Sequence, residues 1–224
     1  MRIIELQLQT ADLDRQREFY AGVFGLSPLP GPAEELGFQI GWSRLVFRQP
    51  PAGQAGVYHF AFNIPANQFA AAESWARRRL ALIGDAAGAD TFHFASWDAH
   101  SLYFADPAGN IVELIARHGL DNASDAPFGG ASLLCVSEIG IAAVDVLALA
   151  ARLQALTGAP VYRGQPDATF TPLGDEHGLL ILVPQGRVWY PNTGQPAQAL
   201  PLVARVEGAG APVTLEFGES DVGC

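Results

Sequence analysis

Two side chains able to hold a metal ion or move a proton stand in stretches that otherwise read as apolar strands. His59 lies in "YHFAFNI" (58–64) and Glu113 in "DPAGNIVELIA" (106–116). An imidazole in such a strand is either a core histidine satisfied by one hydrogen bond or a group reaching into a cavity. A lone carboxylate flanked by Val112 and Leu114 is costly to bury unless it is paired or metal-bound. On the preceding strand Ser101 and Tyr103 share a face on which a ligand could meet them. His100 has the opposite parity, unless a bulge near Asp98 re-aims it. In "IIELQLQ" (3–9) Glu5, Gln7 and Gln9 share one face, against Leu6 and Leu8 on the other.

Elements of one kind must position all of these. Three segments have the same layout: "IIELQLQTADLDRQREFYAGVFGL" (3–26), "VYHFAFNIPANQFAAAESWARRRL" (57–80) and "VSEIGIAAVDVLALAARLQALTG" (136–158). Each reads as a strand of about six residues, a short break, and a helix with apolar residues at helical spacing. Asp12 and Asn67 are placed to cap helices. Short strand candidates follow each helix: "FQIGW" and "RLVFRQ", then "FHFASW", "SLYFAD" and "NIVELIA", then "ATFTPL" and "LLILVP". The spacing therefore predicts a βαβββ unit used three times. Asp106-Pro107-Ala108-Gly109 has the chemistry of a type I turn joining two antiparallel strands. The turn-rich stretch 118–130 marks a boundary. Residues 186–208 read as irregular and then a strand, and "GESDVGC" (218–224) as a frayed end. Apolar strand faces should pack on the helices, leaving the polar faces to line a concavity. The fold class expected is α+β, with curved mixed sheets and helices outside.

A chain of 224 residues that is 49% hydrophobic and 16% charged is globular. A net charge of −10 argues against nucleic acid and anionic membranes as partners. Met1-Arg2 runs straight into a strand pattern, so no signal peptide is expected. The apolar stretch 131–151 is interrupted by Glu138 and Asp145, a poor membrane span. Cys135 and Cys224 form neither a disulfide framework nor a zinc motif, and Cys135 reads as a small core residue. A reducing cytoplasm is the expected location.

Paired βαβββ units, "DLDRQREFYAGVFGL" after the first strand, "HFAF" opening the second unit and "DPAGNIVEL" closing it together resemble the vicinal-oxygen-chelate superfamily. That group includes glyoxalase I, extradiol dioxygenases, methylmalonyl-CoA epimerase, fosfomycin-resistance transferases and bleomycin resistance proteins. The resemblance implies a two-unit domain over 1–118, a linker over 119–130, a third half-domain over 131–206 and a tail over 207–224. It implies a metal held by Glu5, His59 and Glu113, with histidine commoner at the position of Glu5. One imidazole and two carboxylates suit Mn²⁺, Fe²⁺, Zn²⁺ or Mg²⁺, and depart from the two histidines and one carboxylate of iron oxygenases. Sharing an ion requires His59 and Glu113 to lie within about 8 Å of each other, given bonds near 2 Å. Glu5 is otherwise a catalytic base, or an ion-pair partner of Arg44 or Arg48. Tyr103 is a catalytic candidate, and Ser101, Tyr103, His100 and Trp42 are substrate-contact candidates. The third unit does not repeat the set: Glu138 stands at the equivalent of His59 and Leu182 at that of Glu113. Glu138 then pairs with an arginine or lines the edge of the first cavity. The activity implied is that of a metal-dependent lyase, isomerase or ring-cleaving dioxygenase acting on a small oxygenated molecule by bidentate chelation. The alternative is a drug-sequestering binder of the bleomycin-resistance type, with Trp42, Trp97, Phe47 and Tyr103 around an aromatic or cationic guest. The partner is a small molecule, enclosed within one chain or across a homodimer.

Overall fold

A computed structural model describes residues 1–50, 56–208 and 210–218; Cys224 and all but Gly218 of the expected frayed end lie outside them. The first unit contains β1 (Arg2–Gln9), α1 (Leu13–Phe24), β2 (Pro28–Leu29), β3 (Glu35–Ile40) and β4 (Ser43–Arg48). The second contains β5 (His59–Ile64), α2 (Phe69–Arg77), β6 (Thr91–Phe94), β7 (Ala99–Ala105) and β8 (Ile111–Arg117). The third contains β9 (Cys135–Ala143), α3 (Val146–Thr157), β10 (Thr171–Asp175) and β11 (Gly178–Pro184). Two further strands follow, β12 (Leu202–Glu207) and β13 (Val213–Phe217), so the stretch expected as a tail contributes to a sheet.

Local chemistry accounts for the helix starts. Asp12 and Asp145 accept hydrogen bonds from the backbone N–H groups of Arg15 and Ala148, each at 2.9 Å. Asn67, expected to cap the second helix, instead exchanges hydrogen bonds with the backbone of Ser124, and α2 starts after Gln68. No helix among the described residues is long and apolar enough to cross a membrane.

The strands form two sheets. One runs β13-β12-β1-β4-β3-β2, the other β10-β11-β9-β5-β8-β7-β6. Within the second, β5 pairs in parallel with β8 and antiparallel with β9. The second unit is thus joined to the third, not to the first, and the first unit shares its sheet with the two C-terminal strands. Alternation sorts the joined sheet into two faces. Phe60, Phe62, Leu102, Phe104, Val112, Leu114, Leu180 and Leu182 face the main core, which they share with Ile3, Leu6 and Leu8 of β1. The other face carries His59, Ala61, Tyr103 and Glu113 and forms the inside of a cup.

Asp106 ties the first unit to this sheet. The turn it opens is closed by Gly109 N–H donating to the Asp106 carbonyl at 2.9 Å, and Gly109 has a φ of +83°. The carboxylate accepts from the backbone N–H groups of Ala108 and Asn110, and from Asn110 Nδ2. It also accepts from Gln16 Nε2 at 3.0 Å and Tyr20 Oη at 3.2 Å, both on α1. Asp106→Ala leaves these buried donors unpaired and should lower stability by about 3 kcal/mol or more. Urea denaturation tests this; a loss below about 1 kcal/mol would mean that the donors find other partners.

Candidate metal centre

The cup face is organised in rows of residues that lie side by side. Ala61 is opposite Glu113 on β8 and opposite Glu138 on β9, and Tyr103 on β7 is opposite Glu113. Ala61, the small residue in this row, leaves room between the two carboxylates. His59 lies two residues before Ala61 on the same face. Its Nδ1 is 3.2 Å from the Ile111 carbonyl, so that nitrogen carries the proton and Nε2 keeps its lone pair. Nε2 stands 3.7 Å from Glu113 Oε2, well inside the reach that a shared ion requires. One ligand atom each from His59, Glu113 and Glu138 lies within 4.8 Å of the others.

Glu138 reaches the cup because β9 bulges. The register moves from Ala61↔Glu138 to Phe62↔Val136, which makes Ser137 an extra residue. Regular alternation from Val136, which faces the core, would turn Glu138 toward the core as well. The inserted residue turns it to the other side. There it meets Arg117, which lies at the end of β8 with the parity of Glu113. Arg117 is 1% exposed, its Nη2 donates to Glu138 Oε1, and its Nε donates to Asn63 Oδ1 at 3.2 Å. Trp97 and Tyr162 lie beneath its guanidinium at 5.5 and 6.0 Å.

These surroundings set the protonation states. Burial pushes the His59 pKa down to about 4; the Arg187 charge adds to this and the bond to Ile111 opposes it. Burial, and then the Glu138 charge, push Glu113 up to about 8, against the pull of Ser101, Arg117 and Tyr103. Burial raises Glu138 too, opposed by Arg117. Tyr103 rises well above its ordinary value, through burial and then the two carboxylates. At neutral pH the His59–Glu113 contact is therefore not an ion pair. It is a neutral imidazole facing a carboxyl group that burial keeps from ionising.

This donor set fits a divalent cation. Bonds of about 2.0–2.2 Å allow ligand atoms of one ion to stand up to about 4.4 Å apart. The observed spacing meets that with small side-chain rotations. The imidazole is already in its ligating form, and a cation would relieve the repulsion that raises Glu113.

The other candidates distribute as follows. Glu5 stands in the other sheet, paired with Arg44 at 3.3 Å and accepting from Gln7 Nε2 at 2.6 Å, away from the three converging residues. Tyr103 lines the cavity above Glu113. Ser101 lies on the same strand face, its buried Oγ close enough to Glu113 to favour the carboxylate but not aligned for a regular hydrogen bond. His100 keeps the parity of Leu102 and faces away from the cup, between Phe69 and His93, with His118 Nε2 2.7 Å from its Nδ1. Trp42 lies in the β3–β4 turn of the other sheet under the Arg2 guanidinium, and Phe47 is in the main core. Trp97 does line the cavity.

The cavity measures about 260 Å³. Several of its walls come from residues that pattern reading passes over. Arg187, Trp189 and Tyr190 belong to a strap between β11 and β12, while Phe94 and Phe170 come from the ends of β6 and the α3–β10 loop. The signal for the strap was the aromatic density of "GRVWYPNTG" (186–194).

The second and third units together form a cupped sheet with a histidine and two carboxylates on its floor, and the chain has a glyoxalase/dioxygenase-like α+β fold. No family sequence model and no curated protein matches it. Among solved structures, a provisionally named dioxygenase from Bacillus subtilis subsp. subtilis str. 168 superposes with a TM-score of 0.62 at 18% identity, over 84% of this chain. The match spans 65% of that protein's length, so the chain accounts for less than two thirds of it. A lactoylglutathione lyase from Agrobacterium tumefaciens is 27% identical over 50% of this chain and 90% of its own, with a TM-score of 0.41. A Listeria monocytogenes fosfomycin resistance protein, solved with Mn(II), is 18% identical over 51% of this chain and 87% of its own, at 0.39. At those two scores the likeness is partial and says nothing further about this chain.

Proposed function

We propose that this chain is a divalent-metal-dependent enzyme that acts on a small oxygenated molecule, with His59, Glu113 and Glu138 holding the ion. The observation that carries this reading is the convergence of three ligand atoms within 4.8 Å on the floor of a largely apolar cavity. When bound, the ion supplies Lewis acidity to two adjacent substrate oxygens. Arg117 fixes the orientation of Glu138 and offsets its charge. Tyr103 keeps its proton through the neutral range, so its Oη acts as a hydrogen-bond donor beside Glu113. Trp97, Phe170 and Trp189 exclude water and hold the substrate's apolar part.

Titration calorimetry on the chelator-treated protein tests this with Mn²⁺, Fe²⁺, Zn²⁺ and Mg²⁺. At least one ion should bind at micromolar concentration or tighter, and His59→Ala should abolish that binding. If no ion binds and His59→Ala changes nothing, the reading falls.

The aromatic wall favours a second reading, a non-catalytic binder that holds its guest by stacking. The two separate on chelation: a binder of that kind keeps its ligand in EDTA.

A further inference from the structure

The strap between β11 and β12 is a short hairpin folded over the cup. Gly186 N–H donates to the Ala197 carbonyl at 2.8 Å, Ala197 N–H to the Arg187 carbonyl at 2.7 Å, and Trp189 N–H to the Gln195 carbonyl at 3.0 Å. Trp189 anchors it. This residue is 5% exposed, its ring centroid is 5.2 Å from that of His59, and it rests against Gly140. A Cβ at Gly140 would come within 2.4 Å of the indole, so the seat requires glycine. The anchored strap fixes Arg187 at the cavity wall.

Arg187 is the one arginine or lysine in that wall among the described residues. It is half-exposed, and it makes no ion pair and no side-chain hydrogen bond among them; its guanidinium lies 5.1 Å over the ring of Phe170. The other buried charges of the site are compensated. Glu138 has Arg117, and a divalent ion would neutralise both carboxylates, leaving the guanidiniums in excess. The protein as a whole carries −10, which repels anions, so an anionic ligand needs a local cation at the entrance.

We propose that the ligand of this cavity carries an oxyanion, a carboxylate or phosphonate, that pairs with Arg187 while a single-ring-sized apolar body lies against Phe94, Phe170 and Tyr190. The planar guanidinium suits either oxyanion bidentately. The cavity volume is near the lower limit for small-molecule pockets and restricts the body to about one ring. This assignment takes the cup as the ligand site, as the proposed function does, but the pairing itself needs no metal.

The test is titration of the whole protein with phenylacetate, phenylphosphonate and the neutral phenylacetamide, followed by tryptophan fluorescence, in EDTA and again with Mn²⁺. In EDTA at least one anion should bind about tenfold or more tighter than the amide. Arg187→Gln should bring that ratio to within about twofold while leaving the amide's affinity unchanged, and Arg187→Lys should restore part of it. Because the ratio is read in EDTA, where no ion is held, a failure of the metal titration leaves it standing, so the two ideas fail separately. A ratio near one in the unaltered protein overturns the proposal. So does a ratio that survives Arg187→Gln, or no saturation by either anion at about 10 mM.

Discussion

Glu138→Gln should weaken Mn²⁺ binding by at least about 100-fold, whereas Glu5→Gln should leave it within about twofold. Removing a residue that merely orients a ligand already costs about 10–100-fold in metal affinity, and loss of a ligand should exceed that. The contrast follows from the sheet pairing. β9, not β1, lies beside β5, and the bulge at Ser137 turns Glu138 into the cup. Glu5 spends its carboxylate on Arg44 and Gln7 in the other sheet. Calorimetry on the two variants decides between the residues, and equal losses would sink this assignment of the third ligand. Since Glu138 is also the partner of Arg117, its replacement leaves a buried guanidinium short of an acceptor. Glu138→Gln keeps an oxygen there, and a melting curve checks that the fold persists.

The second large effect is on stability against pH in metal-free protein. The folded pKa of Glu113, about 8, lies above its ordinary 4.5. Between those values the folded chain holds a proton that the unfolded chain has released. This contribution is therefore complete below pH 4.5 and is lost as the pH rises through 8. His59 acts the other way. Its folded value of about 4 lies below 6.5, so its contribution grows as the pH rises from 4 to 6.5. The two oppose each other up to about pH 6.5, above which the His59 contribution levels off and the raised Glu113, with Glu138 shifted in the same direction, dominates. Stability should then fall by about 1–1.5 kcal/mol between pH 6.5 and 8, the slope easing from about 1.4 kcal/mol per pH unit as Glu113 reaches its midpoint. Glu113→Gln should flatten this fall, and saturating Mn²⁺ should reverse it, because the ion displaces the proton. Urea midpoints at pH 6.5 and 8 in EDTA read it directly. A flat profile for the unaltered protein contradicts the burial of an unpaired carboxyl at this position.

What pattern reading reached and what it missed have separate physical causes. Phe60, Phe62 and Ile64 against His59, Ala61 and Asn63 is a two-residue period, and it placed His59 on the cup side. The Asp-Pro-Ala-Gly turn located Glu113 on the strand that returns beside it. Helices α1 and α3 both carried a periodic stripe, and α1 an aspartate cap read from the sequence. Which units share a sheet was not legible, because β1 and β9 present similar apolar edges to β5 and only the packing of the whole chain chooses between them. Glu138 was legible as the counterpart of His59 but not as a member of its group. A bulge breaks the rule by which parity is read, and nothing in "VSEIGIAA" announces that Ser137 is supernumerary. Arg187 and Trp189 sit in a segment with no periodicity, held by hairpin hydrogen bonds and by one glycine across the cup.

The pairing of β1 with β12 has a consequence for how the protein comes into being. On a ribosome β1 soon finds β4, but the strand on its other flank, with Arg2 beside Glu207, is made only much later. Until β12 appears, one border of β1 presents unsatisfied amides and carbonyls, an invitation to stray strand addition. Closure between strands so far apart in sequence is also a slow step. Nascent chains of this protein should lean on chaperones until β12 has emerged.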